Sequence, residues 1–140
     1  MSSALFALAI LVAAGQPASQ FAGTWAAAFK GDTFARLELR ETDGALAGRI
    51  SLGAMHVDKN GVVDEVLNPA NNFTPIFDVS FRDGVLSFAR KDGDDTDRFE
   101  LRLSGDALML RFIFTPELAA EFARDGLPTP VPVRLTRTAR

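Results

Sequence analysis

The chain has 140 residues and a formal charge of −3, with 15 basic side chains distributed among 18 acidic ones. This length fits one domain, and the scattered basic residues offer no patch for nucleic acid and no polybasic stretch for an anionic membrane surface. The chain has no Cys, which excludes a disulfide framework, thiol chemistry and a lipid anchor on an N-terminal cysteine, so no stable membrane anchor is expected.

An uncharged N-terminal segment indicates export. The first 20 residues carry no charged side chain and include an apolar run from Ala4 to Ala14. This run is too short to cross a bilayer, which needs about 20 residues, but it matches the apolar region of a secretory signal. We therefore assign residues 1–20 to a cleaved signal peptide, with cleavage near residues 15–20, and residues 21–140 to a single mature domain. A packed or disordered apolar tail is the alternative. Export without disulfides favours the bacterial periplasm, or secretion from a bacterium.

Short alternating strands dominate the rest of the chain. Segments in which apolar and polar residues alternate are separated by turn residues such as Asp43-Gly44 and Asp83-Gly84, a pattern typical of antiparallel hairpins. A further small hairpin can form around Asn60-Gly61. The strands are predicted over residues 23–29, 33–41, 45–52, 76–81, 85–91, 98–104, 107–114 and 131–138.

A helix is predicted just before the last strand. Thr115 can cap it, Pro116 suits its first turn and Gly126 ends it, while Leu118 and Phe122 give it an apolar face. So many successive strands would leave two exposed edges unless the sheet closes. We therefore predict a mainly β fold, an antiparallel up-and-down β-barrel of about 8–9 strands with one C-terminal α-helix at about residues 115–126.

The first predicted strand opens with Gly23-Thr24-Trp25, which resembles the Gly-x-Trp signature of the lipocalins and their calycin relatives. In that family the Trp plugs one end of the barrel, and a basic residue on the closing strand packs across its ring. The resemblance implies that Arg137 takes this position, because antiparallel pairing of the first and last strands brings it to Trp25. It also implies a helix before the final strand. We therefore expect a calycin-like barrel in which Gly23, Trp25 and Arg137 are structural residues.

The residues predicted to face inward are mostly Phe and Leu, and two functional hypotheses stay open. A small barrel can enclose one ligand or be filled by its own side chains. A barrel filled by its own side chains predicts a structural or protein-interaction module of the bacterial envelope, with no ligand. A barrel that encloses a ligand predicts an exported, lipocalin-like, non-catalytic protein that binds a small hydrophobic molecule, such as a lipid or acyl chain. The residues predicted to line that ligand site are Phe77, Phe88, Phe99, Leu110, Phe112 and Phe114.

No constellation of catalytic residues stands out, so neither enzymatic activity nor a cofactor is expected. His56 is the single histidine and is interpreted as a surface turn residue, since a catalytic histidine needs a nucleophile and an orienting acid. Clustered carboxylates on a tight loop suit calcium, although an ordinary hairpin turn is the favoured interpretation. The carboxylates of this weak calcium candidate belong to Asp92, Asp94, Asp95 and Asp97.

Overall fold

Ten strands and one α-helix form the described part of the chain, residues 17–138 of a computed structural model. A 3-10 turn at Ala18–Phe21 comes first, and helix α1, Pro116–Arg124, lies between the last two strands. Of the predicted signal peptide, residues 1–16 lie outside the described residues, and its cleavage stays a prediction. The strands are β1 Gly23–Phe29, β2 Asp32–Thr42, β3 Ala45–Leu52, β4 Ala54–Val57, β5 Val63–Asn68, β6 Thr74–Arg82, β7 Val85–Asp92, β8 Asp95–Ser104, β9 Ala107–Ile113 and β10 Val133–Arg137.

Eight of these strands close into an antiparallel barrel in the order β1-β10-β9-β8-β7-β6-β3-β2. β4 and β5 pair with each other in a separate two-stranded hairpin. The predicted fold class, a mainly β antiparallel barrel with one helix before the last strand, is confirmed.

Two-residue turns set the register of three hairpins. Lys30-Gly31, Asp43-Gly44 and Asp83-Gly84 each place two successive residues at positive φ, between 51° and 88°. Turns of this primed type match the twist of paired strands. Gly takes the second position of each because this backbone conformation costs it little.

Neighbouring strands of the barrel pair over unequal lengths. β2 and β3 share eight residue pairs, and so do β7 and β8. In contrast, β1 meets β10 through two pairs, and β3 meets β6 through two. These two short seams join the sheet β1–β2–β3 to the larger sheet β6–β10. A register shift in β6 between Phe77 and Ser80, with Asp78 at a φ of 53°, bends that strand near the second seam.

Candidate functional site

The interior of the barrel is occupied by its own side chains. Phe88 of β7, Phe99 of β8 and Phe112 of β9 are register partners in one layer. The rings of Phe88 and Phe99 stack with centroids 5.2 Å apart, and Phe112 meets Phe99 edge-on at 5.6 Å. Phe88, Phe99 and Leu110 are at most 2% exposed. The layers around them are filled by fully buried residues of other strands, which include Leu37, Ile50, Leu86, Leu101, Leu108 and Leu135.

The base of the barrel is closed by the turn that precedes β1. Trp25 is fully buried, and its indole Nε1 donates to the carbonyl oxygen of Phe21 at 2.9 Å. Arg137 is the register partner of Trp25, and its guanidinium carbon lies 4.2 Å from the indole centroid. The same guanidinium donates to the carbonyl oxygens of Gln20 and Ala22, at 3.0 Å and 2.9 Å. Arg137 therefore ties the closing strand to the indole and to the N-terminal turn.

Gly23 is needed because Arg137 approaches the backbone so closely. Its φ is +137°, a conformation that L side chains rarely adopt, and a Cβ atom there would overlap Nη1 of Arg137. The Gly of the Gly-x-Trp pattern thus makes room for the guanidinium that covers the Trp.

The opposite end of the barrel is covered by the β4–β5 hairpin. Met55, Val63 and Val66 are partly buried and pack against the core from above. The tip of the hairpin is held in place because the Val131 N–H donates to the carbonyl oxygen of Gly61 at 3.0 Å. The hairpin thus restricts access to the interior from this end.

A small groove remains beside this cover, between the upper ends of β7–β9 and the start of α1. Its volume is about 150 Å³, and its walls include Phe112, Phe114 and Leu118. Phe114 also contacts Phe122 of α1, with ring centroids 5.3 Å apart. Three predicted ligand-lining residues, Phe99, Phe112 and Phe114, therefore meet at one groove, which is smaller than the roughly 300 Å³ at which ligand pockets usually begin.

Arg90 is a polar residue of this groove that the alternation of apolar residues does not predict. Its side chain is 15% exposed, and its Nε donates to Oδ2 of Asp97 at 3.1 Å. The guanidinium lies 5.9 Å from the ring centroid of Phe99. A cation removed from water needs such a partner, because its desolvation is otherwise uncompensated. The inward position of Arg90 could have been inferred from the sequence, since Arg90 follows Phe88 by two residues and therefore points to the same face of the strand.

Phe77 does not take the inward position that strict alternation predicts. Ile76 and Val79 are the residues of this stretch that pack against the core. The register shift between Phe77 and Ser80 places one extra residue in β6, Asp78 at positive φ, so the inward phase changes there. Phe77 is thus separated from the groove that Phe99, Phe112 and Phe114 share.

His56 lies on a strand of the hairpin rather than in its turn. Its Nδ1 is 2.6 Å from Oδ1 of Asp64 on the neighbouring strand, and the two side chains are 63% and 44% exposed. The hydrogen bond with Asp64, together with its charge, raises the pKa of His56 above the usual 6.5. The pair links the two strands of the hairpin on its outer surface.

The four aspartates of the calcium candidate are spread over the β7–β8 hairpin. Asp92 and Asp95 are its last register pair, Asp94 is exposed in the turn, and Asp97 binds Arg90. Within residues 17–138, no three or more His, Cys, Asp or Glu side chains form a group that could hold a metal ion.

Comparison of the chain with protein-family models, with curated proteins and with solved structures gives no match. In the described part of the chain, no helix is long and apolar enough to cross a membrane.

Proposed function

We propose that this chain is a non-catalytic binding or structural module of the bacterial envelope, built on a filled barrel and acting through its outer surface. The observation that supports it most is the burial of Phe88, Phe99 and Leu110, which are at most 2% exposed at the positions where a ligand chamber would need open volume. The groove at the mouth has a volume of about 150 Å³, which is too small for a ligand chamber, since ligand pockets usually have about 300 Å³ or more.

The proposal includes a calycin-like character and export to the periplasm or the medium. Buried Trp25 with Arg137 across its ring is the arrangement that the Gly-x-Trp resemblance implies. The uncharged apolar run from Ala4 to Ala14 supports a signal peptide, and the lack of Cys is compatible with a bacterial envelope.

The outer surface offers apolar contact area around the covered end of the barrel. Val62 and Val131 are 49% and 42% exposed and line one cleft of about 200 Å³. Leu67 and Leu127 are 57% and 53% exposed. Exposed apolar side chains that form a patch are typical of interaction sites, so the cleft that Val62 and Val131 share supports a role for the exterior.

Native mass spectrometry of the protein exported by its own host and purified without detergent tests this function. We expect the mass of the processed chain alone. A stoichiometric added mass that disappears on denaturation would instead identify a carrier and overturn the filled-barrel proposal.

A second candidate function is the binding of a small amphipathic ligand, such as a fatty acyl chain, at the mouth groove. Arg90 favours it, because its guanidinium lies among aromatic rings and is held by a single carboxylate, Asp97. A ligand carboxylate can replace Asp97 in a charge-assisted hydrogen bond. The groove must widen for the chain to enter, which requires α1 or the hairpin to move.

Titration with a fluorescent long-chain fatty acid tests this second candidate. Saturable binding that is lost in Arg90→Gln and kept in Arg102→Gln would support it, since Arg102 is an exposed arginine in β8 that does not line the groove. Absence of saturable binding by the unmodified protein would eliminate it.

A further inference from the structure

Near the base of the barrel, β3 and β6 separate and leave a gap in the wall. The two strands pair only at Arg49–Pro75 and Ile50–Thr74. Both nevertheless continue toward the base, because β3 begins at Ala45 and β6 ends at Arg82. Within the described chain, residues 45–48 pair with β2 and have no strand partner on the side that faces β6.

Two clefts follow this gap along β3. The cleft nearer the base has a volume of about 190 Å³ and an apolar lining that includes Leu46, Val79 and Leu86. The next cleft, of about 450 Å³, is lined by charged residues, Arg40 and Arg49 among them. The gap therefore offers an apolar floor at one end and a charged rim at the other.

The free edge of β3 is less protected than the other short seam, because it is covered at its start, where Ala18 of the 3-10 turn lines the same cleft as Leu46, and not along the rest of residues 45–48. Unpaired strand edges are templates for pairing, and proteins block them with Pro, charge or a covering element. The approach to β10 carries Pro130 and Pro132, and the hairpin tip is bonded to it at Val131. Residues 45–48 read Ala, Leu, Ala, Gly, and the small side chains of all but Leu46 leave their backbone accessible.

We propose that an extended peptide segment of a partner protein, with alternating apolar and acidic residues, binds in this gap as an added strand. This inference rests on the proposed function, because it assigns a site on the outer wall to the envelope module. In an added strand, main-chain hydrogen bonds give affinity and alternate side chains enter pockets. One set of peptide side chains would lie over Leu46 and Val79, while the other would lie on the outer face with Arg40.

Charge complementarity selects an acidic peptide. The rim contains the guanidinium groups of Arg40 and Arg49 and one carboxylate, Glu38. Glu38 is engaged by Arg49 at 2.8 Å, and no ion pair within residues 17–138 involves Arg40. A carboxylate of the peptide therefore has a free cation to meet.

The geometry also favours a single extended chain over a second copy of this protein. β6 stands on the far side of the gap from β3, so one chain can enter between them. A strand of a folded barrel would bring its own neighbouring strand with it, and that strand would meet β6.

The test uses the full chain and a blocked hexapeptide of alternating Val and Asp, followed by amide NMR. We expect saturable shifts and slower hydrogen exchange at residues 45–48. Arg40→Glu is expected to weaken binding at least about tenfold, because it places like charges together. The matched control Arg102→Glu, an exposed arginine on the outer face of β8 away from the gap, is expected to keep the affinity within about twofold. A backbone N-methylated hexapeptide is expected not to bind, since it lacks the strand donors.

Several outcomes would overturn this inference. These are the lack of a saturable shift, shifts confined to other surfaces, or equal affinity in Arg40→Glu and Arg102→Glu. Slow exchange without peptide at the amides of residues 45–48 that point away from β2 would also overturn it, because a second copy or the chain's own N-terminal segment would then occupy the gap. If the hexapeptide does not bind while the exported protein shows the mass of the processed chain alone, the gap is not the binding site and the proposed function remains. A stoichiometric added mass on the exported protein would contradict the proposed function, whether or not the hexapeptide binds.

Discussion

Arg137 joins three parts of the chain through one side chain. It lies on the closing strand, covers the indole of Trp25 on β1 and donates to two carbonyl groups around the N-terminal turn. A cation over an indole stabilises by about 0.5–2 kcal/mol, and hydrogen bonds from a charged group add to this. Because the first and last strands meet here, this residue contributes to closing the barrel.

Replacing Arg137 tests this contribution. We expect Arg137→Ala to lower the free energy of unfolding by about 1–3 kcal/mol in urea titrations. The matched control is Arg134→Ala on the same strand, whose nearest carboxylate, on Asp106, is 3.9 Å away and fully accessible, so its loss should cost less than about 0.5 kcal/mol. Equal losses in the two variants would contradict a special role for Arg137.

The His56–Asp64 pair predicts a pH dependence of the hairpin. The folded state raises the pKa of His56 above 6.5, so the pair stabilises the hairpin fully below the unfolded pKa. That stabilisation is lost as the pH rises through the folded pKa. NMR titration of the imidazole should give a pKa above 6.5 that falls in Asp64→Asn and changes less in Glu65→Gln, since Asp64 is the main cause of the shift. A His56 pKa unaffected by Asp64→Asn would contradict the pairing.

The positions of some of these residues were predictable from strand pairing, whereas local backbone geometry made the positions of others unpredictable. The resemblance to the calycins, together with antiparallel pairing of the terminal strands, implied that Arg137 lies against Trp25. Phe77 was not predictable in the same way, because Asp78 at positive φ shifts the phase without any change in the hydrophobic pattern. Arg90 was inward by phase, but a charged residue inside a barrel is recognised only once its partner Asp97 is seen.

Among the elements, the N-terminal turn extends the fold into the predicted signal peptide. Gln20 accepts a hydrogen bond from Arg137, and Ala18 packs against the core. Cleavage near residue 15 or 16 would preserve these contacts, whereas cleavage after residue 20 would remove them. The earlier sites in the predicted range are therefore favoured.

Two truncated chains test this boundary. A chain beginning at residue 21 should be about 1–2 kcal/mol less stable than one beginning at residue 17, since it lacks a charged hydrogen bond and some apolar packing. N-terminal sequencing of the exported protein should locate its first residue before Ala18. Equal stability of the two chains, or a natural start at residue 21, would contradict this expectation.

Helix α1 is bound weakly to the barrel. It has a regular cap, with Thr115 Oγ1 accepting from the Leu118 N–H at 3.1 Å, yet none of its residues is buried. Elements with few buried contacts open locally. We therefore expect the α1 amides to exchange with deuterium faster than those of β8. Phe122→Ala should accelerate the exchange of α1 and leave β8 unchanged, because Phe122 packs on Phe114. Equal protection of α1 and β8 would indicate that the helix is an integral part of the fold.

The barrel itself was predictable from its turns, since Asp43-Gly44 and Asp83-Gly84 mark where an antiparallel neighbour begins. The short β3–β6 seam was not, because pairing between these strands, which are distant in sequence, depends on how they bend. The candidate site was therefore only partly predictable. The apolar layer of Phe88 and Phe99 follows from alternation, while the gap beside Leu46 required the three-dimensional register.

Taken together, the buried layers of the barrel lead us to propose that its interior is filled and that binding belongs to its exterior. Buried aromatic and aliphatic side chains then act as a scaffold, as in small barrels whose interior is just wide enough for side chains. Phe99 is central to this packing because it contacts Phe88 and Phe112. Phe99→Ala should cost about 3–5 kcal/mol and leave an apolar cavity.

Xenon-induced methyl NMR shifts test whether the barrel is filled, because xenon enters apolar cavities that exclude water. In the unmodified protein, we expect no saturable shift of the methyl groups of Leu101, Leu110 and Leu135. In Phe99→Ala, or in Phe99→Leu if the smaller variant does not fold, the Leu101 and Leu110 methyl groups should shift, which shows that the method detects a cavity at this position. Saturable shifts of the same methyl groups in the unmodified protein would show that the barrel is hollow and would contradict the claim.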